Sequence, residues 1–227
     1  MKIDAFRTAG RGDSDEIARL INMAYRPEPG CAGWTHESGL VNGDRTNPEQ
    51  IVSTLLKPDS IILVALQNNL IVACIHIEKA GLDCHIGLFA VNPIWQGSGI
   101  GKQILSQAED YAVEHFCSER FVMTVVSVRQ ELISFYLRRG YRQTCQIADY
   151  PLSAGVGTPK QMGLKVEILE KPSGIAVTHS STDIYEKYSE DHYEQTRHSS
   201  SGHGGRGFTS RETINLSGAL RLEDGWT

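Results

Sequence analysis

The sequence predicts an α/β fold, one domain with a mixed, mostly antiparallel sheet of six to seven strands flanked by about four helices. Three observations predict it. Apolar segments alternate with turn signals as far as Lys171, in the order α, α, β, β, β, α, β, α, β, β. The first strands follow one another directly, as hairpins do, and the later ones alternate with helices, which asks for a mixed sheet rather than a doubly wound parallel one. A glycine-rich loop, Gly97-Ser98-Gly99-Ile100-Gly101, stands between the third strand and an apolar-striped helix.

Each element has its own signal. Asp13 and Glu16 have the spacing of a capping box, and Ile17, Leu20, Ile21 and Ala24 recur behind them at helical spacing to about Tyr25. A long loop rich in Pro and Gly follows. Pro48 suits the first turn of a short helix over Glu49 to Lys57. "SIILVALQ" reads as a buried strand, Asn68-Asn69 as a turn, and "LIVACIHIE" as a second strand with Ile71, Ala73, Ile75 and Ile77 on one face. "CHIGLFAV" is the third strand. The helix after the glycine loop opens at about Ser98 and carries Ile100, Ile104, Leu105, Ala108 and Ala112 on one stripe. "RFVMTVVSV" is rich in β-branched residues and reads as a strand. "RQELISFYLRRGY" is a helix that Gly140 closes. Arg142 to Asp149 and Gln161 to Glu170 are the last strands.

Composition excludes several classes. With 227 residues there is room for one domain, or one domain and a tail. A formal net charge of −5 supplies no global basic field for nucleic acid. No run of apolar residues is long enough for a membrane span, and the N-terminus is expected to carry no secretory leader. Five scattered cysteines, Cys31, Cys74, Cys84, Cys117 and Cys145, fit isolated thiols in a reducing cytoplasm, with neither a disulfide frame nor a zinc site. The domain is therefore read as residues 1–171. Residues 172–227 are rich in Ser, Gly, His and charge and read as a polar, mostly disordered tail. The tail's His179, His192, His198 and His203 are too irregularly spaced for a metal tract, and no metal is expected.

The loop can be tested against known phosphate binders. A nucleotide-binding G-x-x-x-x-G-K-[ST] fails at both ends: Gln96 stands five before Gly101, and Gln103 follows Lys102. A dinucleotide G-x-G-x-x-G fails on spacing and on the hairpins before it. What remains is a tight turn into a helix, where backbone N–H groups and the helix dipole suit a pyrophosphate without metal.

"VNPIWQGSGIGKQILSQAEDYA" resembles the acyl-CoA-binding motif of the GNAT superfamily of N-acetyltransferases, Q/R-x-x-G-x-G/A, with the usual V-x-P before it. Downstream, Phe135, Tyr136, Gly140 and Tyr141 match its second hallmark, F-Y-x-x-x-G-[FY]. The resemblance covers about Met1 to Lys171. It implies two central parallel strands that splay apart and an acyl-CoA lying in the gap. Backbone of Phe89, Ala90 and Val91 would bond the pantetheine arm and the acetyl carbonyl, and Gln96, Gly97, Ser98, Gly99, Ile100, Gly101 and Lys102 would cradle the pyrophosphate.

The implied chemistry is attack of a neutral amine on the thioester of acetyl-CoA in a ternary complex. Tyr136 stands where the family often places the acid for the leaving thiolate; it is otherwise a core aromatic. The base is open. Family members often carry a glutamate where this chain has His85, or one where it has Thr124. His85 could serve, and Glu78 and His76 on the second strand come next. Arg129 replaces a frequent asparagine; it would reach a CoA phosphate or an acidic substrate, or else pair with Glu131. Specificity would come from the loop after the first helix, with Trp34, His36, Glu37 and Arg45 as candidates and Glu37 suited to a cationic amine. The expected acceptor is a primary amine on a small molecule rather than a protein, and the expected state a monomer or homodimer. Two alternatives stay open, a non-catalytic acyl-CoA-binding module and a protein lysine or N-terminal acetyltransferase.

Overall fold

The computed structural model describes residues 3–28 and 33–174. Cys31 and the tail from residue 175 onward, with its four histidines, lie outside the described residues, whereas Pro172 belongs to the last strand of the sheet. Strands β1 (Ala5–Thr8), β3 (Ser60–Gln67), β4 (Leu70–Ala80), β5 (Asp83–Val91), β6 (Arg120–Val126), β7 (Arg142–Asp149) and β9 (Lys165–Pro172) form a seven-stranded sheet in the order β1-β3-β4-β5-β6-β9-β7. Every neighbouring pair is antiparallel except β5 and β6. Two-residue strands β2 (Val41–Asn42) and β8 (Thr158–Pro159) pair separately. The helices are α1 (Ser14–Tyr25), α2 (Pro48–Leu56), α3 (Ile100–Phe116) and α4 (Gln130–Leu137).

Most element boundaries agree with the periodicity. Asn68 and Asn69 both take positive φ, the geometry of a tight β3–β4 hairpin turn that asparagine tolerates. Asn47 and Gln50 form the capping box of α2, with Pro48 at its start. Gly140, at φ +89°, ends the turn after α4. Three expectations are corrected. Asp13 does not cap α1: its carboxylate accepts from the Gly10 amide at 2.7 Å and binds Arg7, while Glu16 accepts from the Ile71 amide at 3.0 Å. α3 begins at Ile100 rather than Ser98. The single stripe expected on β4 is broken, because the β3–β4 register shifts between Ala65 and Leu66. Ile71 thereby packs with Cys74 on one core, and Ala73, Ile75 and Ile77 on the other.

The sheet is covered on both faces. Ile17, Leu20, Ile21 and Ala24 of α1 and Ile51 of α2 pack with Ile62, Val64 and Cys74. Ile100, Ile104, Leu105, Ala108 and Ala112 of α3 and Ile133 of α4 pack with Ile75, Ile77, Phe121 and Leu169. Burial of these side chains, each about 1.5–3 kcal/mol for the larger ones, fixes the head of α3 against the sheet.

The splay has a local cause. β5 and β6 are in register only from Asp83–Ile86 against Arg120–Met123. Just past that point Gly87 pairs with His76 and Ala90 with Cys74, so Leu88 and Phe89 both stand opposite Ile75. This is a β-bulge, and Leu88 takes φ +41° within it. Bulges bend the strand that carries them, and here the bend leads β5 away from β6.

Candidate active site

A cleft of about 260 Å³ opens beyond the last β5–β6 pair, lined by Phe89 and Val91, by Gly97, Gly99, Gly101 and Lys102, and by Tyr136. Gly97 and Gly99 hold φ +79° and +88°, the left-handed region that glycine enters without penalty. No atom lies within 4 Å of where a Cβ would stand on either. The amides of Gln96, Ser98 and Gln103 bond the carbonyls of Pro93, Trp95 and Gly99. Those of Gly97, Gly99, Ile100, Gly101 and Lys102 have no hydrogen-bond acceptor among the described residues. Unsatisfied donors at a helix start, reinforced by its dipole, make an anion site. The sequence-predicted members divide here. The Ile100 side chain is fully buried in the core, and the Ser98 hydroxyl donates to the Trp95 carbonyl at 2.6 Å.

Val91 faces the same space by its backbone. The Asn92 amide donates to the Val72 carbonyl, so Ala73 and Val91 form a non-hydrogen-bonded pair. The Val91 N–H and C=O therefore turn away from β4, toward the gap, and those of the preceding Ala90 turn toward β4. Gln96 Nε2 donates to the Val91 carbonyl at 3.1 Å and to Thr35 Oγ1 at 2.8 Å, and Gln96 Oε1 accepts from the Trp34 amide at 3.0 Å. Gln96 is a strut that holds the α1–α2 loop over the cleft. Gly33 allows it, since a Cβ there would stand 2.4 Å from Gln96 Oε1.

Tyr136 is buried with its ring against Phe89 and Phe135, and burial pushes its phenol well above the usual range. Trp34 packs at a tilt of 47° against Phe135 with centroids 5.8 Å apart, and the Arg139 guanidinium lies 3.3 Å from the centre of the same ring. Tyr25 also lines the cleft and donates to the Phe89 carbonyl at 3.1 Å. Burial pushes its phenol up to about 12, with the Arg45 guanidinium opposing.

Beside the cleft lies a buried charge cluster. Glu37 is 2.9 Å from Arg26 and 3.8 Å from Arg129. Arg129 also binds Glu131 and donates to the carbonyls of Thr35 and Trp34 at 3.1 and 3.3 Å. Arg45 lies 5.5 Å from the Tyr25 ring centroid, and His36 Nδ1 is 3.1 Å from Ser38 Oγ. Glu37, Arg45 and Arg129 thus gather around the loop without lining the cleft itself.

The base candidates sit together on β4 and β5. His85 stands opposite Glu78, Glu78 is 3.5 Å from Lys57 Nζ and 3.8 Å from His76, and none of the three lines the cleft. Burial lowers the His85 pKa, with Asp83 and Glu78 opposing. The Ser60 hydroxyl donates to the Thr54 carbonyl at 2.9 Å, so it accepts from His76 Nε2 at 2.9 Å, which assigns the proton of neutral His76 to Nε2. Burial lowers the His76 pKa to about 4, with Lys57 and His85 adding to it. Because the folded value lies below the unfolded one, near 6.5, this group's contribution is fully present above pH 6.5 and is lost as pH falls toward 4. His76→Gln should flatten that dependence. Urea denaturation at pH 7 and pH 4 should show a wild-type loss greater by about 3 kcal/mol. Equal losses in both proteins would refute it.

Sequence reasoning did not single out Tyr25, Arg26 or Arg139. Tyr25 and Arg26 were legible only as the end of α1, since their partners lie far along the chain. Arg139 sits inside the F-Y-x-x-x-G hallmark, and its place there was the available signal.

The splayed β5–β6 pair and the unpartnered amides at the head of α3 are the features that define this fold and cleft. The model of the Acetyltransferase (GNAT) family matches residues 18–141, and the chain belongs to that family. Solved structures share the fold at low identity. The ribosomal-protein-S18-alanine N-acetyltransferase from Escherichia coli is 15% identical, with TM-score 0.57 over 77% of this chain and 97% of that one. An N-acetyltransferase from Staphylococcus aureus Mu50 is 16% identical, with TM-score 0.57 over 74% and 97%. A GNAT family acetyltransferase from Elizabethkingia anophelis, solved with acetyl-CoA bound, is 17% identical, with TM-score 0.52 over 74% and 97%. No curated protein matches by sequence.

Proposed function

We propose that the chain transfers acetyl from acetyl-CoA to the primary amine of a small-molecule acceptor by direct attack in a ternary complex. The observation that carries this is the set of five unpartnered amides from Gly97 to Lys102 opening on the cleft. They fit a pyrophosphate, and the bare Cα surfaces of Gly97 and Gly99 leave it room. Acetyl-CoA supplies the activated acyl group as a thioester.

The remaining roles fall to this chain's residues. The Val91 N–H is the donor for a carbonyl oxygen as negative charge develops. Tyr136 holds its proton at neutral pH, which is the state required of an acid toward the leaving thiolate. His85, or Glu78 opposite it, takes the proton of the incoming amine through solvent, since neither lines the cleft. The reading includes a cytoplasmic setting, supported by free Cys74, Cys84, Cys117 and Cys145. No described helix is long and apolar enough to cross a membrane.

Thiol release from acetyl-CoA against a panel of amines tests the proposal. Tyr136→Phe should lower kcat by about 100-fold, within the usual range for a lost acid, while the KM for acetyl-CoA stays within about two-fold. Tight acetyl-CoA binding with no transfer to any amine would reduce the chain to a binding module.

A further inference from the structure

The acceptor end of the site has an uneven charge balance. Glu37 was the carboxylate expected to receive a cationic amine, but it is buried and saturated by Arg26 and Arg129. No residue lining the cleft is acidic, and its charged members are Lys102 and Arg139. A cationic acceptor would find no carboxylate there to hold it.

Arg45, on the loop between α1 and α2, has an aromatic neighbour in Tyr25 and, among the described residues, no counter-anion. Among the described residues its guanidinium makes no ion pair and no side-chain hydrogen bond. It is nonetheless held in place. Asn22 Oδ1 accepts from the amides of Arg45 and Thr46 at 2.8 and 3.2 Å, and Asn22 Nδ2 donates to the Thr46 carbonyl at 2.8 Å. These bonds pin the Arg45 backbone to α1. Its guanidinium lies over the ring of Tyr25, and the Tyr25 hydroxyl reaches the Phe89 carbonyl two residues before Val91. A pre-positioned guanidinium without a counter-anion, one ring away from the strand whose backbone would bond the acetyl carbonyl, is arranged to bind an anion. Its planar fork of donors matches a carboxylate.

We propose that the acceptor is an amine that carries its own carboxylate, of the amino-acid type, and that Arg45 is the residue that binds that carboxylate. The inference rests on the acetyltransferase reading above. It makes Arg45 a determinant of substrate class, with Tyr25 spacing the carboxylate from the reacting amine.

The test is thiol release from acetyl-CoA with a panel of free L-amino acids and the matching amino-acid amides, using the full chain and Arg45→Gln. For at least one pair the free acid should exceed its amide in kcat/KM by at least about 10-fold, the scale of one charge-assisted contact. Arg45→Gln should bring that ratio close to one by slowing the free acid, with the KM for acetyl-CoA unchanged. Amides as good as acids throughout, or a ratio that survives in Arg45→Gln, would overturn the inference. Transfer to amides and no free acid would also overturn it while leaving the acetyltransferase reading intact. No transfer to either class would overturn the inference, and the acetyltransferase reading falls with it only if the wider amine panel also gives no transfer while calorimetry shows acetyl-CoA binding.

Discussion

Gly99→Val is expected to leave the domain folded and to weaken acetyl-CoA binding by about 100-fold, the scale of one or two charge-assisted hydrogen bonds. Gly99 is the cap of α3 at φ +88° and ψ 0°. A β-branched residue is a true outlier there, at a cost of about 1–3 kcal/mol. Relief of that strain rotates the peptide that orients the Ile100 and Gly101 amides. Protein atoms do not resist the new side chain, because nothing lies within 4 Å of the Cβ position. The penalty therefore falls on the ligand: the added methyl groups occupy the space above the amides. Gly99→Ala separates the two effects, keeping much of the backbone strain with less of the bulk, and should lose affinity by a smaller factor. Calorimetry with acetyl-CoA and a thermal melt of the same samples would show whether binding falls while the fold persists. Unchanged affinity in Gly99→Val would remove the cradle from the site.

The glycine loop was legible in sequence because its requirement is local. Positive φ at Gly97 and Gly99 and a helix starting at Ile100 follow from a few neighbouring residues. The apolar stripe of α3 and the hairpin turn at Asn68-Asn69 were legible for the same reason. Edge strand β1 was not, since Phe6 alone among its four residues is even partly buried. Strands β2 and β8 escaped notice because their pairing joins segments more than a hundred residues apart, far outside any local window. The bulge at Leu88 and Phe89 is likewise set by the partner strand, and nothing in "CHIGLFAV" announces it. Glu37 shows the limit for function. Its residue type suggested a free carboxylate for an amine, whereas its chemistry is decided by Arg26, eleven residues earlier, and Arg129, at the head of α4. The Tyr25 hydroxyl is placed the same way, by a bond to the Phe89 carbonyl.

Glu37→Ala should destabilise the domain by about 3–5 kcal/mol, the usual cost of removing one partner from a buried ion pair. That is a large part of the roughly 5–15 kcal/mol that holds a typical domain. The side chains of Arg26, Glu37 and Arg129 are 7%, 8% and 6% exposed, so water cannot compensate the remaining charges. Most hydrogen bonds of the cluster survive the substitution. Arg26 still donates to the carbonyls of Tyr25, Gly43 and Val156, and Arg129 keeps Glu131 and the carbonyls of Thr35 and Trp34. What is lost is charge compensation, which places the cost nearer the lower figure. Glu37→Gln keeps the shape and one acceptor and should still be clearly destabilised, whereas loss of a hydrogen bond alone would cost only about 1 kcal/mol. Removing both charges together, as in Arg26→Met with Glu37→Leu, should cost less than Glu37→Ala, because no uncompensated charge is left at that contact. Urea denaturation of the three variants decides the matter. A double substitution costing as much as or more than Glu37→Ala would show that packing and the Arg26 bonds to carbonyls outweigh charge in the cluster. The same ordering bears on the site, since Arg129 ties the Trp34–Thr35 segment to α4 and that segment roofs the cleft. Charge compensation by Glu37 and Glu131 together thus lets a buried arginine hold the roof in place.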